Sequence, residues 1–194
     1  MTEASNDWRT YDAIAGDYAV VAEPAYFRTP AADLVALLRI HPGMHVADIG
    51  TGSGAVAAAA AEAVAPSGFV VGIDPSLSML SAGRRRLAGA HLVAAALPSL
   101  PCHRGRMDAA IAAFVLTHVA DLDVALASMI EMVKPGGVVG LSAWGRSPAA
   151  TPPGVLWQTT AEQYVTANAL TRAMESALPG EKRFATPDAL RAVL

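Results

Sequence analysis

The chain has 194 residues, 53% of them hydrophobic and only 16% charged. That composition fits one ordered, core-forming domain over residues 1–194 and excludes a solvated, disordered chain. A formal net charge of −3 argues against a nucleic-acid partner, and the one tight basic run, Arg84-Arg85-Arg86, reads as solvated helix surface.

The single cysteine, Cys102, permits no internal disulfide and fits a reducing compartment. Met1–Thr10 carries no apolar stretch of signal-peptide kind. The longest small-apolar run, Ala55–Ala65, is interrupted by Glu62 and is too short to span a bilayer. A cytoplasmic location without a membrane span is the expectation.

Helix and strand signals then alternate along the chain, which predicts an α/β fold: a Rossmann-like, doubly wound, mostly parallel sheet with helices on both faces. A helix is predicted over Trp8–Val21 and a second over Ala31–Ile40, with Pro30 near its start and Pro42-Gly43 beyond its end. Residues 1–40 thus form an N-terminal helical lid. The core, residues 41–144, opens with a short apolar strand, His45–Ile49, that runs into a glycine-rich turn. A helix follows over Ala55–Val64, then a β-branched strand, Phe69–Ile73, a helix over Leu77–Leu87 and a weak strand at Leu92–Ala95. Pro98–Met107 reads as a loop. Asp108–Val115 is the fourth strand, Asp121–Val133 a helix closed by Lys134-Pro135-Gly136-Gly137, and Val138–Trp144 the fifth strand. These strands are continuous apolar runs, as strands covered on both faces must be. Residues 145–194 form a helical C-terminal segment. It starts with a Pro- and Gly-rich loop, Gly145–Gly154. A helix over Val155–Ala177 follows, then a last one opened by Thr186-Pro187-Asp188 as cap, first turn and dipole partner.

The chemistry concentrates at the turn after the first strand. Gly50, Gly52 and Gly54 let backbone pass close to a ligand, and the helix that starts there offers free N–H groups to an anionic group. Asp74, at the end of the second strand, is placed to accept hydrogen bonds from both hydroxyls of a ribose. Strand, turn, helix, strand and terminal acid in that order describe a nucleoside-containing cofactor lying across the carboxyl ends of adjacent strands. Gly50-x-Gly52-x-x-Ala55 also fits a dinucleotide fingerprint, so a nicotinamide-dependent oxidoreductase is a rival. Against it, Asp48 at the end of the first strand would repel a pyrophosphate yet receive an amino group. The turn also comes after two helices rather than near the N-terminus.

Val46-Ala47-Asp48-Ile49-Gly50-Thr51-Gly52-Ser53-Gly54 resembles motif I of the class I S-adenosylmethionine-dependent methyltransferases. Val71–Leu80 resembles their acidic motif, and Leu97-Pro98, Met107–Ile111 and Phe114–Val119 resemble the later ones. Val133–Gly137 resembles the turn before their fifth strand. Within the class the similarity is to the type 11 group, which includes ubiquinone/menaquinone-biosynthesis C-methyltransferases, and it runs from about Tyr11 to Trp144. The resemblance implies S-adenosyl-L-methionine as cofactor and a small-molecule methyl acceptor. It implies that Gly50, Gly52 and Gly54 admit the methionine end and that Asp48 holds its amino group. Asp74 then takes the ribose, Pro75 and Met79 lie against the adenine, and Leu97 covers its other face. Phe114 stands near the sulfonium, and Tyr11 and Tyr18 close over the cofactor.

Two departures from the family stand out. Val93 occupies a position where many relatives carry an Asp for the adenine amino group. A sixth and a seventh strand cannot be placed before Leu194, which leaves Val138–Trp144 as an apolar edge, open to a homo-oligomer contact or to chain that the sequence lacks. His118 is the candidate general base. Phe114 or Trp144 is the candidate for a cation–π contact, and Trp157 and Tyr164 are candidates for the acceptor cavity. His41, His45, His91, His103 and Cys102 show no metal-ligand spacing, so no metal is expected. Besides the oxidoreductase, a non-catalytic cofactor-binding or interaction module is the remaining alternative.

Overall fold

The structure, a computed structural model, describes residues 8–84, 87, 89–145 and 152–192. The chain divides into two units. One consists of Trp8–Val115 and Asp123–Ser142, the other of Leu116–Leu122 and the described part of Ala143–Leu194.

The first unit is built on five parallel strands: β1 (His45–Ile49), β2 (Phe69–Asp74), β3 (His91–Ala94), β4 (Met107–Ala113) and β5 (Val133–Ser142). Their spatial order is β3-β2-β1-β4-β5. Successive strands step outward from β1 on one side and from β4 on the other, so the strand order reverses between β1 and β4, where Ala47 lies opposite Ala110. Open parallel sheets hold their ligands beyond the carboxyl ends of the strands at such a reversal. The central strands are apolar because both faces are covered. Val46, Ala47, Ala109, Ala110, Ile111 and Ala112 are all fully buried. The alanine bias of α3 (Ala55–Val64) has the same cause, since Ala57 and Ala60 are fully buried and belong to the same core cluster as Val46, Val70 and Ile111. α4 (Leu77–Gly83) follows β2 and α5 (Leu122–Met132) follows β4.

Strands β1 to β5 match their predicted positions to within a few residues, and β5 is the sheet edge that was expected. Three elements differ. The N-terminal region is not two helices with a loop between them: α1 (Arg9–Asp17) runs into a π-helical stretch, Tyr18–Phe27, and on into α2 (Arg28–Leu37) without a break. Pro24 has no N–H to donate, so the α-helical pattern fails around it and the wider turn carries the chain through, with Arg28 N–H donating to the Glu23 carbonyl. Lys134–Gly137 is not a turn that precedes β5. The strand begins at Val133, opposite Met107, and the four residues bulge out before pairing resumes at Val138 and Ala109. Lys134 Nζ donates to Asp108 Oδ1 at 2.7 Å across this bulge, and Asp108 Oδ2 accepts the His45 N–H at 2.7 Å. Finally, α4 stops at Gly83, short of the predicted Leu87.

In the second unit the predicted Val155–Ala177 helix is two helices, α6 (Pro152–Ala161) and α7 (Ala167–Ala177). Thr166 is the reason for the new start: its side chain accepts the Ala169 N–H and caps α7. The short helix α8 (Pro187–Arg191) begins as predicted, capped by Thr186 through the Ala189 N–H. No strand follows β5 among the described residues.

Candidate functional site

A cleft opens at the strand reversal, beyond the ends of β1 and β4. Of the predicted residues, Asp48, Gly50, Gly52, Tyr18 and Phe114 line it. Glu23, Phe27, Thr51, Ser53 and Ala113, which the sequence did not single out, line it as well.

The floor is the glycine turn. Gly50 and Thr51 both donate backbone N–H to the Ile73 carbonyl, at 2.8 and 3.0 Å, which ties the turn to β2. The path requires left-handed backbone at Gly50, Gly52 and Gly54, with φ of +67°, +56° and +95°. The three glycines do different work. A Cβ on Gly50 would meet Val115 Cγ2 at 2.2 Å, and one on Gly54 would meet Leu87 Cδ1 at 2.4 Å. Those two glycines admit the chain's own side chains. A Cβ on Gly52 would meet only Met79 Cε, at 3.5 Å, so at Gly52, which lines the cleft along with Gly50, the bare backbone leaves open space.

Asp74 braces this turn. Its Oδ2 accepts the Gly52 N–H and its Oδ1 the Ser76 N–H, both at 2.8 Å. Burial raises its pKa. Pro75 follows it half-buried, Met79 is buried under Gly52, and Leu97 sits half-buried in the loop after β3, whose Ala94 pairs with Asp74. Val93, half-buried, pairs with Ile73.

Asp48 is buried beneath the turn, 1% exposed. Its Oδ2 accepts the Thr51 Oγ1–H at 2.6 Å, and the backbone of Ala57 also bonds it. Burial nevertheless pushes its pKa up to about 7. The folded protein therefore keeps the Asp48 proton well above the pH at which an unfolded Asp loses it. The native state binds the extra proton, so stability falls as pH rises from about 4 to about 7 and is level above that. Asp48→Asn is expected to flatten that decline and to stabilise the ligand-free protein on the order of 2 kcal/mol at pH 8. Urea unfolding at pH 5 and pH 8 measures it, and an equal loss in both proteins would show that Asp48 is ionised throughout.

The N-terminal helices form the upper wall. Asp12 on α1 accepts from Ser76 Oγ at 2.6 Å and from the Ser78 N–H at 3.3 Å, at the start of α4, and the Ser76 bond holds its carboxyl below the usual range. A run of rings leads inward from there. Tyr11 meets Tyr18 edge-on at 6.2 Å, Tyr18 stacks on Phe27 at 5.4 Å, and Phe27 meets Phe114 edge-on at 5.4 Å. Burial raises the pKa of both tyrosines, so both hydroxyls stay protonated. Phe114 itself has φ of +60°, a left-handed conformation unusual for a non-glycine residue, held by its N–H bond to the Ser142 carbonyl at 2.8 Å.

His118, Trp144 and Tyr164 belong to the second unit. His118 Nδ1 lies 3.1 Å from the Ala177 carbonyl. A carbonyl only accepts, so Nδ1 carries the proton and Nε2 is the basic nitrogen, and burial lowers the pKa. Trp144 is half exposed and Tyr164 is 83% exposed. The Trp157 side chain, Arg85 and Arg86 lie outside the described residues. Among the described residues no group of three His, Cys, Asp or Glu is placed to hold a metal ion. No helix of the described residues is long and apolar enough to cross a membrane.

Residues 46–137 match the family model of a methyltransferase domain. The chain is 38% identical over 112 residues to a Burkholderia multivorans ubiquinone/menaquinone biosynthesis C-methyltransferase, a match covering 54% of this chain and 45% of that protein. It is 32% identical over 111 residues to a demethylmenaquinone methyltransferase of Symbiobacterium thermophilum, covering 54% of this chain and 44% of the other. The matched stretch thus spans less than half the length of these relatives. Among solved structures, a Thermotoga maritima S-adenosylmethionine-dependent methyltransferase, described as a possible histamine N-methyltransferase, superimposes with a TM-score of 0.65 at 18% identity. That superposition covers 96% of this chain and 78% of the other. At that identity the likeness is one of fold. By its sequence over residues 46–137 and by the fold of its sheet, this chain is similar to methyltransferase domains of the S-adenosylmethionine-dependent type.

Proposed function

We propose that this chain transfers a methyl group from S-adenosyl-L-methionine to a small, largely apolar acceptor in the cytoplasm. The observation that carries the reading is the cleft at the β1–β4 reversal, where Gly52 presents bare backbone beside a buried Asp74. The residues fit the cofactor. Gly52 leaves room where any Cβ would intrude, Asp74 takes the ribose hydroxyls, and Met79 and Pro75 flank the adenine with Leu97 opposite. The same cleft suits a dinucleotide poorly. Two buried carboxylates, Asp48 and Glu23, stand in its wall near the start of α3, where a pyrophosphate would have to sit.

When bound, S-adenosylmethionine supplies a methyl already activated on sulfur. The chain's own task is then to align that methyl with the acceptor and to exclude water. The run of rings from Tyr11 to Phe114 closes the cleft from water, and Phe114 presents a ring to the cationic centre. The net charge of −3 favours a small molecule over nucleic acid, and a second copy pairing along β5 is the oligomer contact this sheet edge offers. The relatives named for ubiquinone and menaquinone biosynthesis make phenolic and quinol acceptors the first panel to try. Incubation with methyl-labelled S-adenosylmethionine should move label into an organic-extractable product. Label confined to the cofactor across the panel, in protein that binds it, would leave a non-catalytic binding module.

A further inference from the structure

The wall over the cleft must move before a nucleoside can enter. The cleft encloses about 40 Å³, against the roughly 300–1,000 Å³ of a small-molecule site. Its floor is fixed, because β1 and β4 are buried strands and the glycine turn is tied to β2 through the Ile73 carbonyl. The N-terminal segment is the part that can yield. Among the residues of α1 only Ala15 is buried, and on the stretch that follows Val20, Val21 and Tyr26 are largely exposed. A segment with so few buried apolar groups opens at low cost.

The contact that pins α1 is polar. Asp12 reaches the start of α4, where its Oδ1 accepts the Ser76 Oγ–H at 2.6 Å and the Ser78 N–H at 3.3 Å. A short bond to a carboxylate is among the stronger hydrogen bonds. Ser76 is 1% exposed and has two further bonds. Its N–H donates to Asp74 Oδ1 at 2.8 Å, and its Oγ accepts the Met79 N–H at 3.0 Å, which caps α4. The Asp12 tether therefore ends on the residue that also braces Asp74, the acid assigned to the ribose. Tyr11 is the neighbour of Asp12 on α1, and burial and then the Asp74 charge raise its pKa. The seat of α1 thus also fixes how Tyr11 approaches Asp74.

Taking the cofactor to be S-adenosylmethionine, as proposed above, we propose that Asp12 is a positioning residue, a latch that seats α1 on Ser76 and must let go for the cofactor to enter or leave. It touches no reacting atom. It sets how fast the site exchanges its ligand, by holding Tyr11 and Tyr18 in the closed wall.

The test is the rate of association and of release of S-adenosylhomocysteine, read by surface plasmon resonance on the immobilised full chain. Asp12→Ala is expected to speed release about tenfold, the worth of one hydrogen bond to a charged group, with association as fast as in the wild type or faster. Asp12→Asn keeps an acceptor oxygen and is expected to release within about threefold of the wild type. Denaturant unfolding of both variants is expected to stay near wild type, which reports that they are folded. Unchanged release in Asp12→Ala would overturn the proposal. So would slower association, which would make α1 part of the formed site rather than its gate, and so would an asparagine variant that releases as fast as the alanine one. A global loss of stability in both variants would mark Asp12 as structural and overturn it as well. Wild-type protein that binds no S-adenosylhomocysteine would remove the cofactor reading itself and this proposal with it.

Discussion

Replacing Asp74 with Ala is expected to destabilise the protein by about 3–6 kcal/mol and to abolish measurable cofactor binding. The ribose contact alone would cost only about 1.5–3 kcal/mol of affinity. The structure gives the residue a second duty. Its two oxygens accept the N–H groups of Gly52 and Ser76. Alanine would strand both donors, each at about 1.5–3 kcal/mol for a hydrogen bond to a charged group. The Gly52 end of the turn would then lose its tether to β2. Asp74→Asn separates the two duties: one oxygen remains to accept, while the amide nitrogen faces the other N–H, so about half the stability loss is expected. Denaturant unfolding of the three proteins measures it. Full stability in Asp74→Ala would mean that the turn is held by the Ile73 carbonyl bonds alone.

Gly50→Ala is expected to cost about 2–5 kcal/mol without touching any polar group. The new Cβ would lie 2.2 Å from Val115 Cγ2 and 2.8 Å from Cγ1. A β-branched side chain has no spare rotamer with which to yield. Overpacking costs about 1–3 kcal/mol, and a φ of +67° adds about 1–2 kcal/mol for any residue with a Cβ. The double variant Gly50→Ala/Val115→Ala tests the division, because it relieves the clash and leaves the backbone strain. Recovery of roughly half the lost stability is expected. No recovery would mean that the strain dominates, and complete recovery that the left-handed turn tolerates a side chain.

These two residues show what was legible in the sequence. The strands were readable because both faces are buried, so each is an apolar run, and the glycine turn was readable because its order with β1, α3 and Asp74 is fixed by the crossover. That the glycines differ was not readable, since what Gly50 and Gly54 avoid is Val115 and Leu87, side chains distant in sequence. Glu23 was missed for a related reason. One acid among Ala19–Phe27 reads as a solvated position until the π-turn reverses the face it presents. Pro24 was the available signal, a proline inside an otherwise helical apolar run. Asp48 stands at the end of β1, as its place in the sequence implies, but its pairing with Thr51 depends on the curl of the turn rather than on spacing. His118 follows β4 closely in sequence, yet it falls in the unit that contains Ala177, its hydrogen-bond partner.

The central claim is that the β1–β4 cleft is a formed S-adenosyl-nucleoside site within this 194-residue chain. Calorimetric titration with S-adenosylhomocysteine tests it most directly. One-to-one binding at about micromolar strength, ~−8 kcal/mol, lost in Asp74→Ala, is the predicted result. A folded protein that takes up no S-adenosylhomocysteine at millimolar concentration would contradict it.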